Sequence, residues 1–377
     1  MKHQLYELQQ MQALPLHSKI NMTIQRVMEW YNYWTGKGEG VYLSWSGGKD
    51  STVLKHIIME NLPYLNIPRV YVDTGLEYPE LKEFVKKDPE VVIIYPEKPF
   101  WQVVRDYGYP VISKEVSECV DNARKCLTSQ RERERERERE YLTNSTTENY
   151  LDLENIPQRV QKILGTLKKR GSPDKSMFNL EKWKPLVDLP FKISNRCCSI
   201  MKKNPLHKYN KNNKTHPITA EMAEESRLRK QQWLNNGCNG FDMKEPKSTP
   251  MSFWTEQDIL QYIKEYNVEI PSIYGSVIND LDLAVGFEQI SMCDTGCKLK
   301  TTGCSRSGCV FCLFGSHLEK GLSRFERLKQ THPKLYNYCM NGGEFVDGVW
   351  QPNTKGLGFR FVMDEINKIY GEKFLRY

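Results

Sequence analysis

Apolar residues in this chain fall into short β-rich runs that alternate with stretches of helical periodicity. Val41-Tyr42-Leu43-Ser44-Trp45, Val70-Tyr71-Val72 and Val91-Val92-Ile93-Ile94-Tyr95 predict strands near 41–45, 69–72 and 91–95. The 3.6-residue pattern predicts helices near 51–60, 79–87 and 99–107, and residues 21–34, Asn21 to Trp34, read as an amphipathic helix ahead of the first strand. Strands separated by helices pair in parallel through crossovers, so the expected fold is α/β, a doubly wound and mostly parallel sheet.

The pattern breaks where the first strand ends. Ser46-Gly47-Gly48-Lys49-Asp50-Ser51 stands before the helical run Thr52 to Met59. Paired glycines let the backbone turn sharply and approach a ligand, and the helix start adds N–H groups and a positive end, an arrangement that holds an anion such as phosphate. Lys49 supplies a mobile charge and Asp50 either orients it or binds magnesium, which makes these two the candidate catalytic residues. Ser46, Gly47, Gly48 and Ser51 are the candidate ligand contacts. The Walker spacing of glycines before Lys49 is missing. Asp73 and Thr74 end the second strand, at the sheet edge where α/β ligands collect.

Composition narrows the class. The 377 residues are 39% hydrophobic and 27% charged, without an apolar stretch of membrane-spanning length or an apolar leader after Met1, so a cytoplasmic, globular protein is expected. Net charge of +7 suits an anionic ligand, but Lys and Arg are interspersed with carboxylates, so nucleic acid is not indicated. Residues 130–140, a glutamine followed by five Arg-Glu repeats, put opposite charges at i,i+3 and like charges at i,i+4, so helical support is partial and a solvated spacer is expected.

Eleven cysteines point to thiol or metal chemistry rather than disulfides. Cys197 and Cys198 are adjacent, and Cys293, Cys297, Cys304, Cys309 and Cys312 form a run that ends in Cys309-Val310-Phe311-Cys312. Soft sulfur ligands at such spacing select zinc or an iron–sulfur cluster, and ligand chemistry alone leaves both open. Cys119, Cys126, Cys238 and Cys339 read as buried structural residues.

Several segments resemble one family. The SGGKDS run resembles the PP-loop of the N-type ATP pyrophosphatases. Asp73-Thr74-Gly75-Leu76-Glu77-Tyr78-Pro79-Glu80 resembles the DTGxxxPE segment of the phosphoadenylyl-sulfate (PAPS) and adenylyl-sulfate (APS) reductases. Cys197-Cys198-Ser199-Ile200-Met201-Lys202-Lys203-Asn204-Pro205-Leu206 resembles the CCxxxKxxPL segment of APS reductases, in which a tandem pair and a distant CxxC hold a [4Fe-4S] cluster. That resemblance implies Cys197, Cys198, Cys309 and Cys312 as ligands, with zinc as the alternative metal and the downstream cysteines as a rival set. Thr219, Ser226 and Arg229 match a TGxRxxxSxxR segment that faces the sulfonucleotide, whereas Met222 stands where its first arginine would be and Arg227 is the substitute. Lys114, in a GxPxxSKE-like stretch, either faces the nucleotide or is a solvated lysine. The helix after Pro250, with a Thr255–Asp258 capping box, reads as architecture.

The resemblance implies an adenine nucleotide alpha hydrolase-like (PP-loop) domain over 41–118 and 185–290, behind an N-terminal helical segment over 1–40. A charged insertion over 119–184 interrupts it, and a cysteine-rich, cluster-binding extension over 291–377 follows. The implied activity is sulfonucleotide reduction or sulfur transfer on APS, PAPS or ATP with a [4Fe-4S] cluster. Asp50 and Asp73 are the magnesium or ribose contacts, and a thioredoxin-like reductant or a sulfur donor is the partner. An ATP-pyrophosphatase-type sulfurtransferase and a non-catalytic nucleotide-binding module are the alternatives. The ECGxH segment of sulfonucleotide reductases has no counterpart after Cys312, where Cys339, near Lys334, is the remaining thiol.

Overall fold

The computed structural model describes residues 2–141, 156–169, 172–173, 176, 178–279 and 298–377, without the side chains of 130–141, 169 and 173. In chain order the first elements are α1 (Leu5–Gln12), α2 (Leu16–Thr35), β1 (Gly40–Ser44), α3 (Lys49–Asn61), β2 (Arg69–Val72), α4 (Pro79–Lys86), β3 (Val91–Ile94) and α5 (Phe100–Tyr107). Then come β4 (Val111–Ile112), α6 (Lys114–Tyr141), α7 (Gln158–Leu164), β5 (Lys168–Lys169), β6 (Ser172–Pro173), α8 (Arg196–Cys198), α9 (Asn204–Asn213), β7 (Thr215–Ile218) and α10 (Arg227–Asn236). The remainder is β8 (Asn239–Gly240), β9 (Lys247–Ser248), α11 (Glu256–Glu265), β10 (Val277–Asn279), β11 (Leu299–Thr301), β12 (Leu313–Phe314), α12 (Arg324–Thr331), α13 (Pro333–Met340), β13 (Glu344–Val346), β14 (Val349–Gln351) and α14 (Phe359–Tyr370).

These elements divide into two compact units, Met1–Pro96 with Lys203–Cys309, and Glu97–Lys202 with Val310–Tyr377. The first unit carries a six-stranded sheet of order β3-β2-β1-β7-β9-β8, parallel except for β8 on β9. Val41, Tyr42 and Leu43 of β1 are all buried, as a parallel strand covered on both faces requires. Val27, Trp30 and Trp34 of α2 join Val53, Leu54 and Ile57 of α3 and Ile259, Tyr262 and Ile263 of α11 in one core. The N-terminal helix is therefore part of the sheet unit. From β1 the chain proceeds to β2 and β3 on one side and returns to β7 on the other. The crevice outside the end of β1 is thus a switch point, where open α/β sheets bind ligands.

The second unit is built around α5, α6 and α14, with Val103, Val104, Val116, Val120, Val362 and Ile366 among its buried residues. Its β4 pairs in parallel with β12, Val111 opposite Leu313, and does not extend the large sheet. Residues 97–118 and 185–202, expected with the nucleotide-binding domain, therefore lie in this unit. Helix α6 continues through the Arg-Glu repeat to Tyr141. Arg124 on α6 donates to the carbonyls of Leu186, Val187 and Leu189 at 2.8, 2.8 and 2.9 Å, and so pins the following segment. No helix among the described residues is long and apolar enough to cross a membrane.

Candidate functional site

The turn between β1 and α3 is shaped by its glycines. Gly47 has φ +73°, and a Cβ there would lie 2.6 Å from Cγ2 of Val85 on α4, so a side chain is excluded both by conformation and by space. Gly48 caps α3, which begins at Lys49, two residues earlier than the apolar pattern indicates. The two serines close the turn on itself: their hydroxyls are 3.0 Å apart, Ser51 donates to the Gly48 carbonyl at 3.0 Å, and the Gly48 N–H donates to Ser46 at 3.3 Å. Donors that bond one another in this way can be re-aimed to phosphate oxygens without moving the backbone.

Lys49 is only 3% exposed. Its ammonium lies 3.3 Å from Oδ1 of Asp50 and 3.3 Å from Oε1 of Glu256, the first residue of α11. Its backbone N–H donates to the Tyr274 hydroxyl at 3.3 Å, and that hydroxyl lies 2.5 Å from Oγ of Ser307. Burial raises the Asp50 carboxyl above the usual range; Lys49 opposes the shift, and the charges of Glu225 and Glu256 add to it. Burial likewise holds the Tyr274 phenol above its usual value.

Glu256 and Tyr274 are site residues that sequence reasoning missed. The one local signal is the capping box, in which the Thr255 N–H and hydroxyl both donate to Asp258 at 2.7 Å. Asp258 is itself fixed by the buried Lys19 ammonium at 2.7 Å, which anchors the start of α11 and with it Glu256.

The other expected nucleotide contacts are occupied locally. Asp73 pairs with Lys82 at 2.5 Å and accepts from the Gly75 N–H at 3.2 Å, and the Thr74 hydroxyl donates to Glu77 at 2.7 Å. Ser226 caps α10 by accepting from the Arg229 N–H at 3.3 Å. The Arg229 guanidinium pairs with Glu225 and lies 3.9 Å from Glu221. Met222 is buried, so the position of the family's first arginine is a core position here. From this turn it is the Glu225 carboxylate that acts on Asp50.

Cys197 and Cys198 sit at the start of a helical turn that widens into a π-helix over Ser199–Lys203, with their sulfurs 4.0 Å apart. The Cys197 thiol pulls Cys198 below its usual value; burial opposes this, and Lys114 and Lys202 reinforce it. Lys114 thus stands beside the tandem cysteines rather than serving only as a solvated lysine. Two adjacent thiols with cationic neighbours fit half of a four-sulfur site. Among the described residues no three His, Cys, Asp or Glu side chains converge to hold a metal. Cys309 and Cys312 are half-buried, and Cys293 and Cys297 lie outside the described residues. Burial pushes the thiols of Cys119 and Cys238 up to about 11 and that of Cys339 well above its usual value, as suits structural cysteines.

A parallel sheet with a glycine turn and a buried lysine at its switch point defines an α/β protein shaped to hold an anion. The chain belongs to the phosphoadenosine phosphosulfate reductase domain family, whose model matches residues 40–131 and 134–313. The family is one of sulfonucleotide-related enzymes. A crystal structure of phosphoadenylyl-sulfate (PAPS) reductase from Candida auris, a phosphate complex, is similar at 13% identity over 77% of this chain and 96% of that one, with a TM-score of 0.32. No curated protein matches the chain.

Proposed function

We propose that the chain binds an adenine sulfonucleotide at the Ser46–Ser51 turn and reduces it or transfers its sulfur group. The observation that supports this most is Lys49, buried at the helix start beside a turn that only glycine can make. On binding, the ammonium and the first N–H groups of α3 would neutralise phosphate charge, while Ser46 and Ser51 exchange their mutual hydrogen bond for bonds to the ligand. A magnesium ion, if used, would be held by Asp50. Cys197 and Cys198, with Cys309 and Cys312, are the proposed ligands of a [4Fe-4S] cluster, which when bound supplies redox or electrostatic chemistry; zinc is the alternative. A thioredoxin-like reductant or a sulfur donor would complete the reaction.

A second reading, ATP-dependent sulfur transfer with release of pyrophosphate, is favoured by Met222 and Arg229. One is buried and the other is engaged by carboxylates, so the guanidinium fork suited to sulfate is not presented. Anaerobically purified protein should be analysed for iron, sulfide and zinc and incubated in parallel with ATP, APS and PAPS. Sulfite from APS or PAPS supports the first reading, and pyrophosphate from ATP without sulfite supports the second. Neither product, with nucleotide binding unchanged in Lys49→Ala, overturns both.

A further inference from the structure

A short loop of the first unit brings an unpaired arginine to the glycine turn. Residues 299–304 run along 273–279: β11 pairs with β10, and the Thr302 N–H donates to the Ser276 carbonyl at 3.0 Å. The N–H groups of Gly303 and Cys304 donate to the carbonyls of Tyr274 and Ile273 at 2.8 and 3.0 Å. Gly303 permits this approach, since a Cβ there would lie 2.2 Å from the Ile273 carbonyl oxygen. Ser305-Arg306-Ser307-Gly308 then leaves this docked stretch and comes against the turn. A Cβ on Gly48 would lie 3.6 Å from Oγ of Ser307 and 3.4 Å from Oη of Tyr274, and those two hydroxyls are 2.5 Å apart. Ser307 thus fixes the loop beside the turn, one residue from Arg306.

The charges around the turn give that position its meaning. Lys49 already faces Asp50 and Glu256, Arg229 faces Glu225, and Lys82 faces Asp73. The turn therefore offers an anion its N–H groups and a lysine that carboxylates compensate, so a ligand with a second anionic group needs a further cation. Arg306 is exposed, and no carboxylate among the described residues pairs with it. Its guanidinium is a planar fork that matches two oxygens of a tetrahedral sulfate or phosphate. Met222, buried in the core, supplies no such fork.

We propose that Arg306 is the specificity residue of the glycine turn. Its guanidinium takes the outer anionic group of a bound adenine nucleotide, a sulfate or a β-phosphate, while the inner phosphate rests on Lys49 and the first N–H groups of α3. The proposal rests on the reading of the turn as a nucleotide site. Adenosine monophosphate, adenosine diphosphate and APS are titrated calorimetrically into the wild type, Arg306→Ala and Arg306→Lys. Arg306→Ala should weaken the diphosphate and APS about tenfold or more and leave the monophosphate, which lacks the outer group, unchanged. Arg306→Lys should recover only part of that loss, because an ammonium keeps the charge without the fork. A larger loss for APS assigns the fork to sulfate, a larger loss for the diphosphate assigns it to phosphate, and both support the proposal. Loss for all three ligands alike, or for none, overturns it while leaving the turn as the nucleotide site. A wild type that binds none of the three overturns the nucleotide site itself, and the role of Arg306 with it.

Discussion

The Lys49 ammonium and Oε1 of Glu256 are 3.3 Å apart, joining the start of α3 to the start of α11. With Oδ1 of Asp50 at the same distance, the buried cation is compensated before any phosphate arrives. An incoming phosphate must therefore compete with Glu256. Glu256→Gln should tighten nucleotide binding about tenfold, equivalent to about 1.4 kcal/mol, because the competitor loses its charge while its shape is kept. Calorimetric titration with ATP and PAPS checks this, and an unchanged affinity would show that Glu256 is not displaced.

What the sequence disclosed and what it concealed differ in range. The glycine turn, the β-branched strands and the Thr255–Asp258 box are local patterns, each set by conformation within a few residues, and each was legible. The partners of Lys49 were not, since Glu256 and Tyr274 reach it only through packing of α11 and the segment after it. Ser226 and Arg229 show how residue type is ambiguous: a serine that caps a helix and an arginine paired with glutamate have the same residue types as anion ligands. The second unit was hidden because β4 and β12 are two residues long, too short to show a period.

Gly47→Ala tests the turn itself. The substitution places a side chain at φ +73° and a Cβ 2.6 Å from Val85, and should cost roughly 2–4 kcal/mol of stability and abolish nucleotide binding. Gly48→Ala is the control, since φ is −70° there and the nearest atom, Oγ of Ser46, is 3.3 Å away. It should fold normally. Denaturant midpoints of the two variants distinguish these outcomes.

A buried ion-pair network makes part of the sheet unit's stability depend on pH. Burial works to raise the Asp88 carboxyl, but hydrogen bonds from Arg69 at 2.9 Å and the Lys55 ammonium at 2.7 Å overcome it and hold it at about 2. A depressed carboxyl stabilises the fold fully above its unfolded value of 3.8 and loses that contribution as pH falls through about 2. Asp88→Asn should cost roughly 3 kcal/mol at pH 7 by leaving Lys55 without its carboxylate and Arg69 with the exposed Glu90 alone, and the difference from the wild type should shrink as pH falls toward 2. A pH-independent difference would assign the loss to packing instead.

Tyr274 links the glycine turn to the cysteine-bearing segment, because one hydroxyl contacts both the Lys49 N–H and Ser307, two residues before Cys309. A nucleotide that takes the Lys49 N–H removes one of these bonds and loosens the other end. Tyr274→Phe keeps the buried ring, removes both bonds, and should cost about 1–2 kcal/mol. Amide hydrogen exchange in peptides covering 303–309 should then rise on adding ATP to the wild type. In Tyr274→Phe it should start high and stay unchanged. An equal nucleotide response in both proteins would mean that the turn and the cysteine segment communicate by some route other than this hydroxyl.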